Sequence, residues 1–304
     1  MTTERLARRP VLTAAAAAMA AGTSTARAAT PIKRWRHYSN GRFGQVHFFS
    51  GAPVDEKAIK HPPLICMHPS PTSGEMYRDM VTYLATDRVV HCPDTAGFGG
   101  SDPPPMKPTM ADYGGDLAEA VANLGFGRDT AKGQVDIFGF HTGSLCAVEF
   151  AAQRPDLVRK AVLSGVPHYT PEERARQRKQ NVPGYPYFTD PNYVAGMYKR
   201  LVLEATNSGT PEDRLRRFGD RLRAGANGWW GPDAVFTHDT GAVLPKLTMP
   251  VLLIAFNEQM TQPTRDAAKI IPGAKLIEML DLPIFGFIVA PERVATTIKE
   301  FLDA

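Results

Sequence analysis

The 304-residue sequence is short of several things, and each shortage narrows what the chain can be. It holds 3 cysteines, Cys66, Cys92 and Cys146, all within apolar segments, so it is not a disulfide scaffold and the three read as core thiols. No apolar run is long enough for a stop-transfer helix, which excludes stable membrane insertion by that route. There is no internal repeat, and no low-complexity segment beyond the alanine-rich start. No histidine follows His238.

The formal net charge is +4, but residues 1–28 carry Arg5, Arg8, Arg9 and Arg27 against Glu4, so the remainder stands at +1. Bulk charge therefore gives no footprint for a nucleic-acid partner. The basic start, the Ala-rich middle and the Ala26-Arg27-Ala28 end read as an export signal, and Arg8-Arg9 followed by Val11 and Leu12 resembles a twin-arginine signal. The expected location is periplasmic or secreted, with residues 1–28 removed.

After the leader, short Val/Ile/Leu-rich runs alternate with amphipathic stretches, the rhythm of a mostly parallel sheet covered by helices on both faces. Strands are predicted near 34–40, 44–51, 63–68, 88–94, 135–141, 159–166, 249–256 and 275–281. Helices are predicted near 74–86, 110–125, 143–154, 262–271 and 291–303. The rhythm breaks at 168–245, where Thr170-Pro171-Glu172-Glu173 and Thr210-Pro211-Glu212-Asp213 each give an N-cap, an N1 proline and an acidic first turn. This segment is read as an inserted helical cap between core pieces 29–167 and 246–304. Its basic runs RARQRK and RLRRFGDRLR are countered by nearby acids and read as solvated helix faces. Its aromatics, Tyr185, Tyr187, Phe188, Tyr193, Tyr198, Trp229 and Trp230, either roof a pocket or form the cap's own small core.

Five stretches together resemble the α/β-hydrolase superfamily over nearly the whole exported chain. LICMHPSPTSG (64–74) is similar to the end of strand three and its oxyanion loop, and RVVHCPDTAGFGGSDPP (88–104) to the Asp-x-x-Gly-x-Gly-x-Ser segment. VDIFGFHTGSLCAVEFAAQRPDLVRKAVLSGVP (135–167) resembles the nucleophile elbow, its helix and strand six; MPVLLIAFNEQ and APERVATTIKEFL resemble strand seven and the last helix. The resemblance implies an α/β fold, an eight-stranded mostly parallel sheet flanked by helices with an inserted helical cap.

The catalytic positions depart from the family pattern. His141 stands where the elbow serine is expected, between Gly139 and Gly143. Gln259 falls where the triad acid is expected, with Glu258 one residue earlier, and Ile284 falls at the triad histidine. A serine nucleophile needs a base within reach and the base needs an orienting acid, so the ordinary Ser-His-Asp machinery is absent. Ser144 lies inside the first helical turn and does not replace it by a register shift. The backbone N–H groups of Ser70 and Thr142 are expected to form the oxyanion hole, Pro69 standing where the family usually has glycine. His141 lies at a helix N-terminus, which disfavours the imidazolium and leaves a neutral ring able to act as base or nucleophile.

His68, Asp94, His168, Glu258, Gln259, Trp229 and Trp230 complete the candidate pocket. For His68 a structural place beneath the loop is the stronger reading, and Asp94 is expected to tie down its own Gly-rich loop. A metal held by His68, Asp94 and His141 has no supporting local spacing, so neither a metal nor a cofactor is expected. Two functions follow. The first is an enzyme acting on a small carbonyl compound (ester, lactone or activated C–C bond) by a non-serine mechanism centred on His141. The alternative is a degenerate homologue that binds a small apolar ligand. Either way the expected partner is a small-molecule substrate or ligand.

Overall fold

The computed structural model describes residues 30–182, 186 and 189–304. The export stretch and the cap aromatics Tyr185, Tyr187 and Phe188 lie outside the described residues.

Eight strands form one sheet: β1 (Ile32–Gly41), β2 (Gly44–Pro53), β3 (Leu64–Met67), β4 (Val90–Pro93), β5 (Val135–Phe140), β6 (Val158–Ser164), β7 (Val251–Asn257) and β8 (Lys275–Pro283). Their spatial order is β1-β2-β4-β3-β5-β6-β7-β8. β1, β2 and β4 pair antiparallel, and every pairing from β4 to β8 is parallel. All eight predicted strands are present. The middle ones are mostly apolar because helices cover both their faces; every residue of β3, β4 and β5 is buried.

Between the core strands run α1 (Arg78–Leu84), α2 (Met110–Asn123) and α3 (Thr142–Gln153). The cap between β6 and β7 holds α4 (Pro171–Asn181), α5 (Pro191–Tyr198), α6 (Pro211–Arg223), α7 (Trp230–Thr237) and α8 (Thr240–Val243). Near the C-terminus follow α9 (Thr261–Ile270), α10 (Gly286–Val289) and α11 (Pro291–Asp303). Both predicted helix starts form, and each is a capping box: Thr170 and Thr210 accept from the backbone N–H of Glu173 and Asp213, whose carboxylates reach back to the threonine N–H.

Two apolar clusters sit on opposite faces of the sheet. One gathers Leu117 and Val121 of α2 with Leu145 and Val148 of α3, and the other gathers Val81 and Leu84 of α1 with Val294, Ile298 and Leu302 of α11. The three thiols are buried and free. Desolvation pushes the Cys92 and Cys146 thiols up from their ordinary range, in keeping with a packing role.

The reading of RLRRFGDRLR as a solvated face needs correction. Arg214 is only 9% exposed, and Arg217 donates to the Ser208 carbonyl while its guanidinium lies 4.8 Å over the Phe285 ring. The helix is amphipathic, so acids that neutralise its charge in sequence do not prevent its inner face from packing on the core.

Candidate active site

β5 ends at Phe140 and α3 begins at Thr142, so His141 alone makes the turn between them. Its φ of 50° is the one positive value at a non-glycine position among the described residues. Such a backbone costs about 1–3 kcal/mol and persists where the surroundings enforce it. The flanking glycines allow it by close approach. A Cβ on Gly139 would lie 2.2 Å from the Gly143 carbonyl oxygen, and one on Gly143 would lie 2.0 Å from that of Met67.

Register then brings distant residues to this turn. Phe140 pairs with Ser164, and Ser164 with Ile254, so the C-terminal ends of β5, β6 and β7 lie side by side. β7 runs three residues further, and Glu258 follows it to meet the histidine: Nε2 of His141 lies 2.6 Å from Oε2 of Glu258. The carboxylate is 2% exposed and the imidazole 17%. Glu258 is held in place through Thr261, whose hydroxyl accepts from the Glu258 N–H and donates to the Phe256 and Glu258 carbonyls.

A carboxylate can only accept, so Nε2 carries the proton in this pair and Nδ1 is left with its lone pair in the neutral ring. One face of the imidazole stacks on Phe140 at 4.0 Å between centroids. Its Cδ2–Nε2 edge faces Gly165, where a Cβ would come within 2.3 Å of Cδ2 and 2.8 Å of Nε2. His141 itself lines the adjoining cavity.

That cavity has a volume of about 270 Å³. Its polar lining is Ser70, His141, Thr142, Gln177, Arg221 and Gln259; Val235, Phe236 and Met260 are among its apolar walls. Neither the Ser70 nor the Thr142 N–H donates to another described residue in a turn, loop or cap. Tyr169 donates to the Met260 sulfur at the cavity edge, and burial followed by the charges of Glu258 and Glu173 pushes its phenol up to about 12. Ser144 faces elsewhere. It is fully buried, and its hydroxyl donates to the His141 carbonyl at 2.6 Å.

The other sequence candidates occupy different places. His68 is fully buried; its Nε2 accepts from the Thr95 N–H at 2.9 Å and its Nδ1 lies 3.0 Å from the Pro69 carbonyl, so it ties two loops together. Asp94 accepts from His47 at 2.8 Å and from the Gly74 and Gly100 N–H groups at 2.6 and 2.7 Å. Burial alone would raise its carboxyl, but these partners outweigh burial and hold it below the usual range. His168 packs beside Gly241, with Nδ1 buried and without a partner, and burial lowers its pKa. The Trp229 ring lies against Lys107, while Trp230 lines a separate cavity with Phe98 and Arg223. None of these five lines the cavity at His141.

His68, Asp94 and His141 do not converge on a common ligand position. Among the described residues, the metal-compatible cluster is His61, Asp87 and Asp303, whose carboxylates already pair with Arg88 and Lys299. The place expected for a triad histidine is apolar: Ile284 packs against the core face that holds α1 and α11, and the Phe285 ring lies 6.1 Å from that of Phe140. Sequence reasoning missed Gly165, Arg221 and Gln177. For Gly165 a signal existed, a glycine directly after strand six beside the elbow.

Residues 62–191 match the family described as alpha/beta hydrolase fold. A stretch of 113 residues is 34% identical to a haloalkane dehalogenase of Mycolicibacterium paratuberculosis, covering 36% of this chain and 36% of that protein. The chain thus matches little more than a third of that relative's length. Among solved structures, the enol-lactonase of Burkholderia xenovorans superposes with a TM-score of 0.71 at 19% identity, over 88% of this chain and 100% of that one. A thermophilic esterase of Thermogutta terrifontis superposes with a TM-score of 0.67 at 22% identity, over 89% and 98%. At these identities the structures speak for the fold alone. With its sheet order, its elbow and its inserted cap, the chain has the α/β-hydrolase fold.

Proposed function

We propose that the chain is an enzyme that acts on a small carbonyl compound, an ester, a lactone or an activated C–C bond, with His141 as the base or nucleophile. The observation that carries this reading is the 2.6 Å contact between His141 Nε2 and Glu258. A histidine at the elbow with no orienting acid is a substituted position; one that lines a cavity and whose tautomer is fixed by a buried carboxylate, leaving the other nitrogen to accept, is a prepared base.

In hydrolysis Nδ1 takes a proton as the attacking oxygen adds to the carbonyl carbon. The resulting oxyanion accepts from the Ser70 and Thr142 N–H groups, and Glu258 stabilises the imidazolium until the proton passes to the leaving group. Esterase and lactonase chemistry in proteins of like fold is consistent with this class of substrate. The cavity volume favours small substrates, near the lower end of the range for ligand sites.

The test is turnover of a panel of esters, lactones and β-diketones by the wild type and His141→Ala. Loss of general-base catalysis lowers kcat/KM by about 10²–10⁴. Equal activity in the two proteins, or none in either while ligands still bind, sinks the reading and leaves a ligand-binding homologue.

A further inference from the structure

We propose that Ser70 is the nucleophile of a displaced triad, Ser70–His141–Glu258, in which the serine comes from the loop after β3 instead of from the elbow. The proposal rests on the reading of His141 as the base and adds the group that it would deprotonate. Its first support is an orphan: the Ser70 hydroxyl is buried and has no hydrogen-bond partner, and the residue lines the same cavity as His141. A buried polar group left unpaired costs about 1–3 kcal/mol, and a native structure that keeps one usually has a use for it.

The second support is that the base is ready and has no proton donor of its own. Glu258 holds Nε2, so Nδ1 is the ring nitrogen left to accept, and His141 lines the cavity. Ser144, the other serine near the elbow, is already committed to the His141 carbonyl. The roles of base and acid are thus filled from β5 and β7, and β3 supplies the hydroxyl, so all three come from the C-terminal edge of adjacent or near-adjacent parallel strands.

The third support is the packing over the hydroxyl. α7 of the cap crosses Ser70 at Gly231, where a Cβ would lie 2.4 Å from Ser70 Oγ and 3.1 Å from the Phe98 ring. The glycine leaves space for the hydroxyl, and the helix shields it from water. Rotation about the Ser70 Cα–Cβ bond is the movement that turns Oγ from Gly231 toward an entering carbonyl; such catalytic contacts tighten when substrate binds. Ser70 can be nucleophile and oxyanion donor together, because the nucleophile's own N–H belongs to the oxyanion hole in the serine proteases.

For an ester the step balances as follows. The Ser70 O–H proton moves to His141 Nδ1 while Oγ bonds to the carbonyl carbon. The tetrahedral adduct then breaks its C–O bond to the alcohol, which takes the proton from Nδ1. Water repeats the sequence on the acyl-serine and releases the acid.

The experiment treats the purified protein with a fluorophosphonate, follows intact mass, maps the modified peptide, and measures ester turnover in Ser70→Ala, His141→Ala and the double variant. The expected result is one adduct per chain on Ser70, absent in Ser70→Ala and formed at least about 100-fold more slowly in His141→Ala. Turnover in the double variant should fall no further than in either single variant, as for groups that act as one unit. Gly231→Ala, which presses on Oγ and Cβ of Ser70, should slow labelling in protein shown to be folded, at a stability cost of the order expected for overpacking.

An adduct on Thr142 or His141, or no adduct on the wild type, overturns the assignment of Ser70. Full turnover in Ser70→Ala alongside loss in His141→Ala also overturns it, and leaves His141 as the base for direct water attack. Unchanged turnover in both single variants removes the serine and the function proposed above together.

Discussion

Gly165 lies against the edge of the His141 imidazole with a φ of 58°, at the point where β6 hands the chain to the cap. A methyl group at this position would meet the ring and also come within 2.9 Å of Glu258 Oε1. The glycine is therefore the spacer that lets the histidine and the carboxylate meet.

Gly165→Ala is expected to cost about 2–4 kcal/mol, from the left-handed backbone and the overpacking combined. Urea unfolding measures the stability, and the activity should fall in parallel as the ring is displaced. Wild-type turnover in a stably folded Gly165→Ala protein would contradict the role given to this edge of the ring.

Glu258→Gln keeps the shape and removes the charge. A glutamine can still accept from Nε2, but it no longer stabilises the imidazolium, and its amide group can donate and favour the wrong tautomer. Turnover should drop by about 10²–10⁴. The melting temperature should hold or rise slightly, because Oε1 of Glu258 is buried without a partner and a neutral amide costs less there.

Arg88 is fully buried and donates to both carboxylate oxygens of Asp303, at 2.6 and 2.7 Å, and to Asp87 at 2.9 Å. This pins the end of α11 to the sheet. Asp303→Asn leaves the cation with Asp87 alone, and the expected loss is about 2–4 kcal/mol, toward the low end because one partner stays. Denaturant titration of the purified variant checks it. A loss under half a kcal/mol would mean that water reaches Arg88.

His91 supplies a pH dependence of stability away from the cavity. Burial first, then the neighbouring His37 and Lys132, lowers its pKa from 6.5 to about 3. Ser50 Oγ lies 2.8 Å from its Nδ1 and 3.0 Å from His37 Nε2. The folded state keeps the neutral ring while the unfolded chain binds a proton below pH 6.5. The contribution to stability is therefore present above about 6.5 and is lost as pH falls from there toward 3. Between pH 7 and pH 5 this amounts to about 1–2 kcal/mol. Unfolding free energies at the two pH values should differ by less in His91→Asn, and an equal difference would show that other groups govern the acid side.

Much of the architecture was legible because its code is local. VDIF and VLLIAF read as buried strands from their apolar continuity, and Thr170 and Thr210 read as helix starts from residues three positions away. His141 was legible for the same reason, since Gly139 and Gly143 mark the elbow within five residues. The inner face of α6 was misread because charge counting along the chain does not tell which side of a helix meets the core.

What the sequence by itself determined is the sheet, the elbow and the absence of a serine from it. What only the tertiary structure decided is which side chains meet at that elbow. His141 and Glu258 are 117 residues apart. Their contact depends on the register of β5 with β6 and of β6 with β7, and on the path of the chain after Asn257, which selects Glu258 over Gln259 to face the ring. Ser70 and Gly231 meet only because the cap folds down over the β3 loop. Apolar periodicity decides which way a residue faces its own element; the alignment of one strand end with another is settled by packing across the whole sheet.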